Sequence, residues 1–124
     1  MAGALPATRL AAYLASLDAG DFDAAAEQFD VDVEYVRGPI NPGESGLQRI
    51  VGRDALLSSF RDRGMRPYRH RLDTCLVEGP ICLGHGTILD PRVEEARFFS
   101  FVEVTAESGL IGRYVASTVG RPTT

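Results

Sequence analysis

The stretch Leu10-Ala11-Ala12-Tyr13-Leu14-Ala15-Ser16-Leu17-Asp18-Ala19-Gly20-Asp21 decides how this chain is read. Leu10, Tyr13, Leu14 and Leu17 fall at i, i+3, i+4 and i+7, the apolar stripe of an amphipathic helix. Thr8 is placed to cap its start, and Gly20 stands where a left-handed stop belongs. Asp21 then opens a second short helix with the stripe Phe22, Ala25, Ala26 and Phe29. Val31, Val33 and Tyr35 alternate with Asp32 and Glu34, which predicts a first strand. The Gly- and Pro-rich loop from Gly38 to Gly46 is long enough for a lid or rim. Gly52-Arg53-Asp54 introduces a third helix, with Ala55, Leu56 and Phe60 on one face and Gly64 as its stop.

After Gly64 the pattern turns to strands. Arg69 to Val77 and Ile81 to Leu89 flank a turn at Glu78-Gly79. Ala96 to Thr105 and Leu110 to Ser117 flank a second turn around Glu107-Ser108-Gly109. Three helices followed by a meander of long strands predict an α+β domain, a curved sheet with the helices on one face. Pairing Val77 with Pro80 puts His70, Leu72, Thr74, Leu76, Ile81, Leu83, His85 and Thr87 on one face, opposite Arg69, Arg71, Asp73, Cys75 and Cys82. Pairing Thr105 with Leu110 puts Phe99, Phe101 and Glu103 on the face of Tyr114 and Ala116.

A chain of 124 residues, 44% hydrophobic and 24% charged, has the composition of one globular domain, taken here as residues 1–124. All 13 basic side chains are arginine. Without lysine, Schiff-base chemistry and the phosphate-binding lysine loop are excluded. His70 and His85 are the only histidines, too far apart for an H-E-x-x-H zinc motif, and no metal or cofactor is expected. No run approaches the ~18 apolar residues of a membrane span, and Met1 to Ala7 lacks the features of a secretory signal. Cys75 and Cys82 make no disulfide framework, so free buried thiols in a reducing cytoplasm are expected, although cross-strand proximity would permit a bond.

The net charge of -4 argues against a nucleic-acid binder. It is unevenly spread: Asp18 to Glu34 carries seven acids and no base, whereas Arg61 to Arg71 carries five arginines and His70 against Asp62 alone. The basic stretch could hold an anion, or could match the acidic segment.

Tyr13-Leu14-Ala15-Ser16-Leu17-Asp18-Ala19-Gly20-Asp21 resembles the first-helix pattern of the ketosteroid isomerases and their SnoaL-like relatives in the nuclear transport factor 2-like superfamily. Ile50-Val51-Gly52-Arg53-Asp54 with Phe60 is similar to that family's entry to its third helix. The resemblance implies a cone, with a curved antiparallel sheet wrapped around three helices and open onto an apolar pocket, and a homodimer through the sheet face. The ketosteroid isomerases use a carboxylate base together with a tyrosine and a protonated aspartic acid that bond the enolate. Tyr13 matches the tyrosine, but the base position falls on Arg37 and the acid position on Phe101. The resemblance therefore implies a pocket and not that reaction.

His85, between Gly84 and Gly86, is the leading acid–base candidate; the alternative is a core histidine bonded to a tyrosine or carbonyl. Glu103 among Phe99, Phe101 and Val104 is either a proton-exchanging carboxylate or a partner of Arg37 or Arg113. Tyr13 and Arg37 would stabilise substrate oxygen, with Tyr35, Phe60, His70, Leu83, Phe99, Phe101 and Tyr114 lining the pocket. The expected function is isomerisation, cyclisation or dehydration of a small apolar carbonyl or polyketide-like compound; the alternative is a dimeric binding protein without turnover.

Overall fold

The computed structural model describes residues 4–38, 46–91 and 93–122. Along the chain come α1 (Leu5–Asp18), α2 (Phe22–Ala26), β1 (Phe29–Arg37), β2 (Gln48–Val51), α3 (Arg53–Arg63), β3 (Arg69–Glu78), β4 (Ile81–Leu89), β5 (Val93–Val104) and β6 (Ile111–Pro122). Helix α1 begins before Thr8, with Pro6 in its first turn, where a missing N–H costs nothing. Thr8 is thus inside the helix, and its hydroxyl donates to the Ala4 carbonyl at 3.1 Å rather than capping. Asp21 does cap α2, its Oδ1 accepting from the Ala24 N–H at 3.1 Å. The lid expected between Gly38 and Gly46 falls mostly on residues 39–45, outside the described residues. Strand β2, a four-residue edge with no alternation to betray it, was not expected.

The strands form one curved, unclosed six-stranded sheet in the order β2-β1-β6-β5-β4-β3. Neighbours run antiparallel except β1 and β6, whose ladder is parallel from Glu34↔Arg113 to Arg37↔Ala116. Helix α1 crosses β3, β4 and β5 while α3 covers β1 and β2, giving a helix layer on one side of the sheet. Between them Leu10, Tyr13, Phe29, Val33, Leu56, Phe60, Val102 and Ile111 are almost wholly buried. No helix among the described residues is long and apolar enough to cross a membrane.

Which side of β4 meets the helices is decided by its two glycines. A Cβ on Gly84 would stand 2.6 Å from Leu10 Cδ2, and one on Gly86 would collide with the Arg71 carbonyl oxygen and the Phe98 ring. The inward row of β4 is therefore Cys82, Gly84, Gly86 and Ile88. His85 and Leu83 point to the outer face, where Leu83 is 51% exposed. This corrects the placement of His85 in the pocket, since the glycines flanking it admit Leu10 of α1 and the Phe98 ring on the side His85 faces away from.

Two β-bulges correct the remaining facing assignments. The β3–β4 hairpin closes with Glu78 opposite Ile81, and Thr74 pairs with His85 as an outward residue. At Asp73 the register shifts by one, so Leu72 pairs with Gly86 and His70 with Ile88. An extra residue in one strand turns everything beyond it to the other face. His70 and His85, expected together, thus lie on opposite faces. In the second hairpin Thr105 does bond Leu110, at 2.8 Å. A shift between Glu103 and Val104 then pairs Val102 with Tyr114 and Phe101 with Val115. Tyr114 turns inward, while Phe99, Phe101 and Glu103 turn outward.

Cys75 and Cys82 are joined by a disulfide with Cα atoms 6.4 Å apart. They are diagonal neighbours, Cys75 opposite Gly84 and Cys82 opposite Val77. This corrects the expectation of free thiols, and with it the argument from cysteine content for a reducing compartment.

Gly86→Ala will lower stability by at least ~1–3 kcal/mol, the range for overpacking a filled core, measured by urea denaturation. An alanine variant as stable as the parent would mean that β4 presents its other face to the helices.

Candidate functional site

The inward residues meet in a cleft of about 40 Å³ between α1 and the sheet. Helix α1 contributes Tyr13, Leu14 and Leu17, and β1 contributes Tyr35 and Arg37. The end of α3 and the loop after it bring Arg63, Arg66 and Tyr68, and β3 brings His70. Phe98 and Ser100 from β5 and Tyr114, Ala116 and Thr118 from β6 form the floor.

Three polar pairs organise this space. Asp18, the last residue of α1, accepts from the backbone N–H of His70 at 2.7 Å and stands 2.7 Å from its ring Nδ1. A carboxylate oxygen accepts, so in the neutral imidazole Nδ1–H donates to Asp18 and Nε2 is the nitrogen that carries the lone pair. The imidazole is wedged edge-on between the rings of Phe98 at 5.1 Å and Tyr68 at 5.5 Å. A carboxylate at a helix C-terminus stands against the macrodipole; the two bonds to His70 hold it there. Second, the Tyr13 and Tyr35 hydroxyls bond each other at 2.8 Å, both buried. Third, the Tyr114 hydroxyl lies 3.0 Å from Ser100 Oγ, and its ring stacks on Tyr35 at 4.8 Å.

Burial pushes the Tyr13 phenol well above its ordinary range, and the neighbouring Tyr35 and Tyr114 push it further. Burial also raises Tyr35, against the bond from Tyr13 and the fields of Arg63, Arg66 and Arg37. Tyr114 is raised by burial first and by Tyr35 second. All three stay neutral at physiological pH and serve as hydroxyl donors. Arg63 is lowered by burial first, and then by the repulsion of Arg66 and Arg37. The cleft thus joins a carboxylate-oriented imidazole, a pair of neutral phenols and a set of guanidiniums.

Of the expected pocket residues, Tyr13, Tyr35, Arg37, His70 and Tyr114 come together here. Phe60 lies behind them in the core, its ring 5.8 Å from that of Tyr13. His85, Leu83, Phe99 and Phe101 lie on the outer face, His85 with its ring 5.2 Å from Phe99. Glu103 faces outward as well, 4.0 Å from Arg113, beside a broad open depression of about 680 Å³ at the hairpin end. The Arg113 partner anticipated for it is the one present. Asp18 and Ser100 escaped the sequence reading, while Arg63, Arg66 and Tyr68 entered it only within the basic stretch that could hold an anion. Asp18 lies within the decisive motif and both arginines within the basic stretch, but no sequence pattern marks Ser100.

The SnoaL-like domain model matches residues 10–114. The chain belongs to the SnoaL-like family. Among solved structures, an NTF2-like protein from Burkholderia xenovorans superposes with a TM-score of 0.72 at 20% identity, over 100% of this chain and 88% of that one. A candidate ketosteroid isomerase from Kribbella flavida gives 0.70 at 20% identity, covering 93% and 78%. An LEH-like epoxide hydrolase of M. tuberculosis gives 0.69 at 19% identity, covering 94% and 84%. No curated protein matches the sequence. At these identities the likeness is one of fold.

The buried phenols carry a pH signature. Their folded pKa values lie above the unfolded value of about 10, so the stability they add is complete below that pH and is lost as pH rises past it. In an alkaline absorbance titration, three of the four tyrosines will ionise only as circular dichroism reports unfolding. Ionisation of all four before unfolding would contradict the buried Tyr13, Tyr35 and Tyr114 cluster.

Proposed function

We propose that this SnoaL-like domain is an acid–base enzyme acting on a small carbonyl compound bound in the α1–sheet cleft. The observation that carries this reading is that the His70–Asp18 pair and the Tyr13–Tyr35 pair open into one cleft. His70 Nε2 removes a proton from the carbon next to the carbonyl, and Asp18 stabilises the imidazolium that forms. The electron pair moves into the carbon–carbon bond and then onto oxygen. Tyr35 or Tyr13 donates a hydrogen bond to that oxygen, with Arg37 adding positive charge. The imidazolium's proton then returns to another carbon in an isomerisation, leaves as water with the hydroxyl of the next carbon in a dehydration, or goes to the oxygen of a second carbonyl that the enolate attacks in a ring closure. A positioned base contributes ~10²–10⁴-fold, and an oxyanion donor roughly 10²–10³-fold. The apolar part of the compound would lie against Leu14, Leu17, Phe98 and Ala116.

A binding protein without turnover is the second reading, because the arginines and phenols that line the cleft could hold a ligand's oxygens without any proton transfer. Exchange of carbon-bound protons separates the two. A panel of cyclic 1,3-diketones, enones and keto acids will be followed in D₂O by proton NMR with the parent protein. His70→Asn will slow the exchange of any active compound by ~10²-fold or more, while His85→Ala will leave it unchanged. A His70→Asn variant with the parent rate would overturn the catalytic assignment.

We also infer that the protein is a homodimer through its outer sheet face. Leu76, Leu83, Phe101 and Val115 stand opposite one another across β3, β4, β5 and β6, one apolar row spanning four strands. The rows beside it mix polar and apolar residues, with Glu78, Ile81, Glu103 and Arg113 on one side and Thr74, His85, Phe99 and Ser117 on the other. A two-fold axis through the row sets apolar on apolar, the isologous arrangement of a second copy. Sedimentation will give a dimer for the parent and a monomer for Leu83→Glu; a monomeric parent at micromolar concentration would overturn the inference.

A further inference from the structure

On folding, the basic stretch from Arg61 to Arg71 divides. Arg61 turns outward to Asp23 at 2.8 Å, and Arg71 bonds Asp73 at 2.8 Å and Thr87 at 3.1 Å on the outer face. Arg63 and Arg66 instead turn into the cleft, where Arg37 of β1 joins them. Arg63 is half-buried, and among the described residues it makes no hydrogen bond or ion pair. Arg66 uses one N–H on the Gly64 carbonyl at 3.0 Å, which leaves the rest of its guanidinium fork for other acceptors. Desolvated positive charge beside like charge is unfavourable until a counter-charge arrives; burial first, and then Arg66 and Arg37, lower Arg63.

The guanidinium fork matches the planar carboxylate in a bidentate way that a point charge does not. The Tyr35 hydroxyl lies within the field of all three arginines. A short molecule can therefore place a carboxylate on the arginines and a carbonyl oxygen on the phenols together. Compact acids also suit a cleft of about 40 Å³ better than a polycyclic compound. We propose that Arg63 and Arg66, in the field of Arg37, bind the carboxylate of a small organic acid, which makes the natural ligand of the cleft a keto acid. The assignment rests on the proton-transfer reading for its carbonyl and stands on the arginines for its carboxylate.

Calorimetric titration tests it with benzoate and pyruvate, their neutral counterparts benzamide and pyruvamide, and inorganic phosphate. The acids will bind, with the amides and phosphate weaker by at least tenfold. Losing a charge-assisted bond corresponds to roughly tenfold or more in affinity; Arg63→Leu will show that loss, and Arg63→Gln will repeat it should the leucine variant fold poorly by circular dichroism. Arg61→Leu, outside the cleft, will bind as the parent does. Equal binding of amide or phosphate, retained acid binding in both Arg63 variants, or no acid binding by the parent would each overturn the proposal. Acid binding retained in His70→Asn, with no proton exchange by the parent, would support the anion site while removing the catalytic reading. Exchange on neutral ketones without acid binding would overturn the anion site alone.

Discussion

Helix α1 lies where β4 has no side chains. Leu10 rests on the bare backbone of Gly84, and Phe98 of β5 fills the space over Gly86. That contact determines which face of the sheet is inside, and two of the polar pairs in the cleft depend on it. Tyr13 and Asp18 are both carried by α1, one reaching Tyr35 and the other His70. Were β4 to present Leu83 and His85 to the helix, α1 would be held away from the sheet, and neither pair would form at its observed distance.

The bulges complete what the glycines begin. Without the shift at Asp73, His70 would continue the outward row of Thr74 and could not meet Asp18. Without the shift at the start of β6, Tyr114 would point outward and leave Ser100 unpaired. Bulges commonly re-aim a side chain beside a functional site; here they supply one residue to each side of the cleft while long ladders continue on either side.

The electrostatics of the cleft follow from depth and company. Burial makes the phenols poor acids and so keeps them as donors, while the nearby guanidiniums offset part of that effect at Tyr35. Asp23, Asp73 and Glu34 draw other arginines, Arg61, Arg71 and Arg49, to the exterior. The chain's negative net charge therefore coexists with a positive interior cleft, because the acids lie mainly outside it.

Periodicity alone located α1, α2, α3 and the five strands other than β2, since each buries a stripe or alternating row whose spacing is a local property of the chain. The turns at Gly20 and Gly64, and the cap at Asp21, were legible for the same reason. The motif through Tyr13 pointed to a helix-wrapped sheet and to a tyrosine in its cleft. What no local pattern could supply was the facing of the strands, because a single unpaired residue at Asp73 or near Gly112 reverses every side chain beyond it. Nor could it show that Gly84 and Gly86 make room for Leu10 of α1 and for Phe98 rather than for His85. The amino-acid order determined which elements form and where they begin; only the packing of α1 against the sheet decided that His70, and not His85, shares a cleft with the tyrosines and arginines.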